Sequence, residues 1–442
     1  MGYVTGGGDG LRGARSSDAP LALRRWSLAE WVGNEAACSG LLERSHADPL
    51  FLSWEWLTLW WQCFAGALAA KPDILTFYRG GDLVGMAPFY RCGVMRRGLL
   101  PVSSLQLIGL SWRDGRSLIS EYLDVVAAAG EADAVRRACV QALMQERLWS
   151  EWVIGYTAAG HEWGEAFARY DCARQHYVRD LDRSVSYQAD LSQGFAAYLR
   201  ALGQSTRRSL WSLRRRLASH GKVTFELLAP EEIAAGLDDL NHLHELRWQK
   251  PAFNAAGMAF HTRLCARLAG RGEVAVSRLR VGGEVVSVLY DIRKGTRQYN
   301  INMAFNPAFS SQLSLGLIHF GYAMEAAAEQ AVVTYDFLAG PGQRSDYKRH
   351  LSQARRELSC VQVLRGYLLP PLYRWHDRAR QRSSTEIPAR RSSASAMAAP
   401  QHTIARLGEK SDGSMIWGAS ARLGCAAAVP LQRSSDARKR TG

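Results

Sequence analysis

Residues 298–348 read QYNINMAFNPAFSSQLSLGLIHFGYAMEAAAEQAVVTYDFLAGPGQRSDYK. Tyr299, Ile301, Met303 and Phe305 alternate with Asn300 and Asn302, which predicts a strand over 298–305. A polar loop with Pro307 and several serines follows, and a helix is expected from Ser314, with Leu315, Ile318, Tyr322 and Met324 on its apolar positions. A second strand is expected over 331–338, ended by Gly340, Pro341 and Gly342. Strand, loop, helix and strand within about 40 residues make a βαβ-like unit, so the two strands are expected as neighbours in one sheet. The loop-to-helix junction would present unpaired N–H groups and the positive end of a helix dipole, a ready anion site. The plainer reading of the same junction is a structural turn with Ser314 as N-cap.

Working outward, 442 residues exceed what one core organises, and two or three domains are expected. A hydrophobic fraction of 47% and an aromatic fraction of 10% indicate a folded protein. The formal charge of +14 invites a nucleic-acid reading, but from Trp375 onward there are 12 Lys/Arg against 5 Asp/Glu, so half of the excess lies in a Ser-, Ala- and Arg-rich tail. That tail, residues 367–442, and residues 1–20 are expected to be disordered. Eight cysteines stand apart without a CxxC pair or a Cys/His cluster, which argues against a metal site and a disulfide framework and for a reducing cytoplasm. The N-terminal segment has no apolar stretch of a signal peptide. The most apolar window, 51–70, contains Ser53, Glu55, Thr58 and Gln62 and reads as a buried amphipathic helix, not a membrane span. A soluble protein is expected, with peripheral membrane contact at most and nucleic acid disfavoured as a partner.

The grammar of the opening stretch occurs twice. DILTFYRGGDLVGMAPFYR, residues 73–91, is a hairpin signature around Gly80-Gly81. VSRLRVGGEVVSVLYDIR matches it at an offset of 202, with Gly283-Glu284 answering Gly81-Asp82. A helix over 133–146 and a strand over 149–157 follow the first hairpin as the helix from Ser314 and its strand follow the second. Two α/β domains of similar order, 21–190 and 191–366, are the economical reading.

Four features carry candidate chemistry. The helix after Asp48-Pro49 bears Trp54, Trp56, Trp60 and Trp61 around Glu55, which is either a capped surface carboxylate or a substrate-facing acid made more basic by apolar neighbours. Leu199, Leu202, Leu210, Leu213 and Leu217 form a helical stripe ringed by Arg207, Arg208, Arg214, Arg215 and Arg216, a solvated basic face or a surface for phosphates. LHELRW places His244, Arg247 and Trp248 within about one turn. Finally, Asp336 at a strand end, with Tyr347 and Lys348, either caps a surface turn or offers a carboxylate, a phenol and an amine beside the anion-binding loop. Transfer from a thioester needs a pyrophosphate cradle, an amide on the carbonyl, a base and an acid. Amides of Gln312, Leu313, Ser314 and Gly316, a strand amide at Met303 or Ala304, Asp336 as base and Tyr347 as acid would supply them. No P-loop, GxGxxG, HExxH or GxSxG occurs, so nucleotide hydrolysis, hydride transfer and serine hydrolysis have no motif support.

FLSWEWLTLWW, GGDLVGMAPFY, RRSLWSLRRRLASHG, LHELRW, SSQLSLG and YDFLAG followed by YK together resemble GNAT-superfamily proteins of the CelD type, named for cellulose biosynthesis. These are related to Fem-type aminoacyl transferases, which carry two GNAT folds in tandem. The resemblance spans residues 21–366 and implies an α/β fold of two tandem GNAT-like domains with mixed, mostly antiparallel sheets. It implies acyl transfer from acyl-CoA, acetyl-CoA above all, to an amine or hydroxyl of a sugar or envelope precursor, in company with exopolysaccharide assembly proteins and without a metal. Asp336 or His244 would deprotonate the acceptor and Tyr347 protonate the thiolate. Met303, Gln312, Leu313, Ser314 and Gly316 would hold the donor, Lys348 and Arg247 a phosphate, and Glu55, Trp54 and Trp248 the acceptor side. Aminoacyl-tRNA as donor and a non-catalytic accessory role are the alternatives. The chain departs from the family pattern in having Ser314-Leu315-Gly316 where Ser-Pro-Gly is frequent, in the spacing from Gln312 to Gly316, and in the added PGQRS after Gly340.

Overall fold

A computed structural model describes residues 19–96, 98–113, 115–171, 175–340 and 346–385. Its first half contributes β1 (Ala22–Trp26), β2 (Lys71–Arg79), β3 (Asp82–Arg96), β4 (Leu100–Leu107), a two-residue β5 (Val126–Ala127), β6 (Glu151–Thr157) and β7 (His176–Asp190). The second contributes β8 (Val223–Leu227), β9 (Val274–Val281), β10 (Glu284–Lys294), β11 (Arg297–Phe305), β12 (Thr334–Asp336) and β13 (Ala354–Arg365). All belong to one sheet of order β1-β2-β3-β4-β6-β13-β7-β12-β11-β10-β9-β8, with β5 paired to β3.

Both hairpins form where the Gly-Gly turns predict them, with Gly80, Gly81, Gly282 and Gly283 all at positive φ. In each half a third antiparallel strand follows, then a helix, then a parallel strand. The helix Ala132–Gln145 carries the crossover from β4 to β6, and Leu315–Glu329 that from β11 to β12. Each parallel pair is three residues long: Ser104–Gln106 against Glu151–Val153, and Arg297–Tyr299 against Thr334–Asp336.

The closing strands are exchanged. β7 follows β6 in the chain but pairs with β12, while β13 follows β12 and pairs with β6. Between them β7 and β13 form the longest ladder of the sheet, from Ala354↔Gln188 to Arg365↔His176. Two copies of one α/β order are therefore joined in a single mixed, mostly antiparallel sheet. The core ignores the midpoint: Phe260 of the second half packs edge-on against Trp56 of the first at 4.9 Å, and Phe51 against Tyr299 at 5.9 Å.

The expected disorder from residue 367 is corrected at its start. Leu369–Thr385 is a helix that buries Leu369 and Tyr373 on the sheet. Asp377 accepts from Arg179 (2.7 Å) and Tyr177 (3.0 Å) of β7 and fixes the helix there. Pro370 and Pro371 fall in its first turn, where no intrahelical N–H is missed. Residues 1–18 and 386–442, expected to be disordered, lie outside the described residues.

Candidate active site at the sheet junction

Asp336 ends β12 and is fully buried. Four donors converge on its carboxylate: Tyr122 O–H (2.8 Å), Ser186 O–H (2.7 Å), the Gln188 amide (3.0 Å) and the backbone N–H of Leu338 (2.9 Å). Tyr122 comes from the first half, and Ser186 and Gln188 from β7, so the exchanged strand builds the socket. Next to it, Glu121 accepts from the N–H groups of Ala339 and Gly340, both at 2.8 Å. Burial and the neighbouring Asp336 outweigh those bonds and push Glu121 up to about 7. Lys348 crosses the same turn, its ammonium donating to the carbonyls of Phe337 (2.8 Å) and Leu338 (2.9 Å). Burial lowers its pKa, against the pull of Glu121 and Asp336.

On the neighbouring strand Tyr299, paired with Asp336, donates to Asp48 at 2.9 Å. Asp48 also caps the N–H groups of Leu50 and Phe51, and burial raises its pKa. A cleft of about 200 Å³ opens beside these groups, lined by His46, Asp48, Tyr122, Asp124, Arg136 and Arg356. Arg356 lies 5.3 Å from the Tyr122 ring centroid. Tyr122 thus joins the cleft to the buried Asp336. A space of this size suits the reacting end of an acceptor and is below the usual pocket for a whole cofactor.

The second constellation lies farther along β11. Past Tyr299 no strand pairs with β11 on the β12 side among the described residues, and 300–305 run on with that edge open. The N–H of Met303 donates to Asn302 Oδ1 at 2.7 Å instead of to a strand. Leu315–Glu329 begins here with Ser314 as N-cap residue, yet its hydroxyl makes no capping bond and leaves the first-turn amides to another acceptor. Gly316 brings the helix onto β11: a Cβ there would lie 2.7 Å from Met303 Cε. The corresponding opening between β4 and β6 is filled. Leu110 occupies the space over Gly155, where a Cβ would lie 2.1 Å from Leu110 Cδ2, and Trp112 packs on Tyr156 at 5.8 Å. Of two homologous gaps, one is plugged and one is open.

The sequence-predicted residues divide among these places. Asp336 and Lys348 meet at the junction. Met303, Leu313, Ser314 and Gly316 gather at the open edge with Gln312, whose side chain accepts from Arg216 at 2.8 Å. Arg247 joins that end of β11, 4.2 Å over Phe305 and 4.7 Å over Trp248. His244 is apart from Asp336 in its contacts, which are the Lys250 carbonyl (2.8 Å) and the Trp248 ring. Burial lowers its pKa. Tyr347 falls in the helix Asp346–His350, with its side chain outside the described part.

Three expectations are corrected. Glu55 is not a carboxyl made more basic: burial acts upward, but its own backbone N–H, Lys294 and Arg271 hold it below the ordinary value, with Arg271 bonded at 2.7 Å. Trp56 and Trp60 are core residues, so half of the tryptophan wall is packing, while Trp54, half-buried, donates to the Trp31 carbonyl (3.3 Å). Lys348 is committed to two carbonyls and does not present its charge to a phosphate. Sequence reasoning missed Glu121, Tyr122, Ser186, Gln188 and Asp48. The one local signal was an acidic pair, Glu121 and Asp124, inside an otherwise apolar run.

Residues 204–349 match the family model described as acetyltransferase (GNAT) domain. The fold is similar to that of FemX, with a TM-score of 0.50 at 10% identity over 80% of this chain and 99% of that one. It is also similar to L-PGS from Bacillus licheniformis (TM-score 0.45, 12% identity, 78% and 96% of the two chains). A tandem GNAT protein from the clavulanic acid biosynthesis pathway gives a TM-score of 0.40 at 11% identity, over 77% and 98% of the two chains. None of the curated proteins matches the chain.

Proposed function

We propose, from the premise that residues 204–349 are a GNAT-type acyltransferase domain, that this protein moves an acyl group from acyl-CoA to an amine or hydroxyl acceptor. The observation that carries this reading is the open edge of β11 facing an uncapped helix N-terminus, set against the filled gap in the first half. The donor supplies a thioester. The Met303 N–H turns from Asn302 to the thioester carbonyl, and the first-turn amides of Leu315–Glu329 meet the pyrophosphate. Asp336 is the base, reached from the cleft through Tyr122: the acceptor gives its proton to the phenol oxygen as the phenol gives its own to Asp336. Tyr347, beside Lys348, is the acid for the departing thiolate. We place the boundary between the two copies after Asp190. The CelD-type resemblance supports an acceptor on a sugar of an exopolysaccharide or envelope precursor, and a cytoplasmic site of action.

Hydrogen exchange with acetyl-CoA added is the test. Slower exchange at residues 303 and 315–317, with acetyl transfer to a member of an amine and sugar panel that falls at least tenfold in Tyr122→Phe, supports the reading. If no CoA ester protects those amides or yields product, the reading fails. A second donor is favoured by one observation: Arg208, Arg215, Arg216 and Trp211 are exposed on the helix Gln204–Ala218, with Arg216 bonded to Gln312 of the same loop. An aminoacyl ester of tRNA would use that face, and a salt-dependent RNA complex would identify it.

A further inference from the structure

Half of the exposed large apolar side chains among the described residues gather at one end of the sheet. Met95 lies near the end of β3, Leu99 in the turn that joins it to β4, and Leu148 precedes β6. Tyr367 and Leu368 follow β13 and lead into the helix Leu369–Thr385, where Leu372 and Trp375 continue the same face at helical spacing. Bonds hold these segments together. Ser103 of β4 donates to the Leu148 carbonyl at 2.9 Å, the Arg365 N–H to the Ser150 carbonyl at 2.9 Å, and Gln175 to the Tyr367 hydroxyl at 2.9 Å. Tyr373 lies within electrostatic reach of Arg96, at the end of β3. Leu99, Tyr367 and Leu368 are 83%, 80% and 81% exposed, and Trp375 is 68% exposed, values foreign to large apolar residues that pack on their own chain.

The charge around this patch has one sign. Arg147 and Arg378 are exposed, and Arg365 stands 5.2 Å over Trp149. Burial and the nearby Arg147 both lower the Arg365 pKa, and Arg365 also donates to the Glu146 carbonyl. The acids close by are engaged: Glu146 with Arg25, Asp377 with Arg179, and Glu151 with Arg96. Past Thr385 the sequence holds nine Lys/Arg against four Asp/Glu, an excess of positive charge. Among the described residues no helix is long and apolar enough to cross a membrane.

We propose that this end of the sheet is a docking face for an anionic lipid bilayer. Leu99, Leu368, Leu372 and Trp375 enter the headgroup layer, while Arg147, Arg365 and Arg378 meet lipid phosphates. Apolar tips flanked by arginines, on a helix that lies along the fold, are what an interfacial contact requires. Each arginine near an anionic surface strengthens partitioning roughly fivefold, and salt weakens it. An acyltransferase docked here would work where membrane-bound precursors are assembled.

Sedimentation of the full chain with vesicles tests this. Vesicles of phosphatidylcholine and phosphatidylglycerol are expected to carry the protein down, vesicles of phosphatidylcholine alone to leave it in solution, and added salt to release it. Leu368→Ala with Trp375→Ala is expected to weaken binding at least tenfold with an unchanged melting temperature, because both side chains are exposed. Arg147→Glu with Arg378→Glu should abolish it. The proposal is overturned if the protein ignores anionic vesicles, or if the apolar pair leaves binding intact. It is overturned in favour of the other basic face if only Arg208→Glu with Arg215→Glu releases the vesicles. It is overturned in favour of self-association if the apolar pair converts a dimer to a monomer and no vesicle binding is seen.

Discussion

At the scale of single residues the junction is a set of buried acids, each held by a different number of donors. Asp336 has four and Glu121 two, both backbone amides. Asp291 of β10 is held by Gln298 (2.6 Å), Asn300 (2.9 Å) and Tyr335 (2.7 Å), yet burial still pushes it up to about 7. A carboxyl whose folded pKa is raised is bound to its proton in the folded state first. Its stabilising contribution is therefore complete below the unfolded value, about 4, and lost as pH rises through about 7. The unfolding free energy is expected to fall between these limits by up to about 1.4 kcal/mol per pH unit for each group, and the melting temperature with it. Glu121→Gln and Asp291→Asn should each flatten that slope, and slopes identical to wild type would show that neither group titrates there. Asp336→Asn is expected to destabilise the protein by about 2–4 kcal/mol in urea, because an amide cannot accept from all four donors.

At the scale of elements, β11 and the helix after it set what the site can hold. Asn302→Ala removes the side chain that occupies the Met303 N–H, and acetyl-CoA is expected to bind about two- to tenfold more tightly, the worth of one net hydrogen bond. Calorimetric titration of the variant measures this, and weaker binding would remove Met303 from the donor site. Gly316 and Gly155 make a paired test. Gly316→Ala crowds the flexible end of Met303 and meets Phe305 at ordinary contact distance, so its stability cost should stay below about 1 kcal/mol while donor binding weakens. Gly155→Ala drives a methyl into the packed Leu110 and should cost about 1–3 kcal/mol without touching the donor. The reading of residues 298–348 as strand, helix and parallel strand holds in the structure, though β12 is three residues long where eight were expected, because Phe337 turns away to bond the Tyr187 carbonyl of β7.

For the whole molecule the exchanged strands are decisive. β6 and β12 each have one neighbour from their own half and take the second from the other half. Unfolding in urea is accordingly expected as one transition, with tryptophan fluorescence and far-ultraviolet dichroism coincident, and two separated transitions would contradict shared folding of the halves. Removing β13 and all that follows should abolish folding of the first half also, since β6 would lose its second neighbour and β7 its longest ladder.

The sequence alone determined the local alphabet of this protein. Gly-Gly turns, period-two strands and the offset of 202 between the hairpins made the doubled α/β order legible, because each signal lies within about 20 residues of chain. It also pointed to Asp336 and to the loop before Leu315. Only the tertiary structure decided that β7 and β13 trade places. HYVRDLDRSVSYQAD is half-buried and polar, and nothing local in it names a partner more than 160 residues away. The same long-range pairing brings Tyr122, Ser186 and Gln188 to Asp336, and it turned Glu55 and Lys348 from candidate site groups into internal ion and carbonyl contacts. Periodicity encodes which face of an element is apolar. Which polar groups share a buried pocket is set by the packing that brings distant segments together.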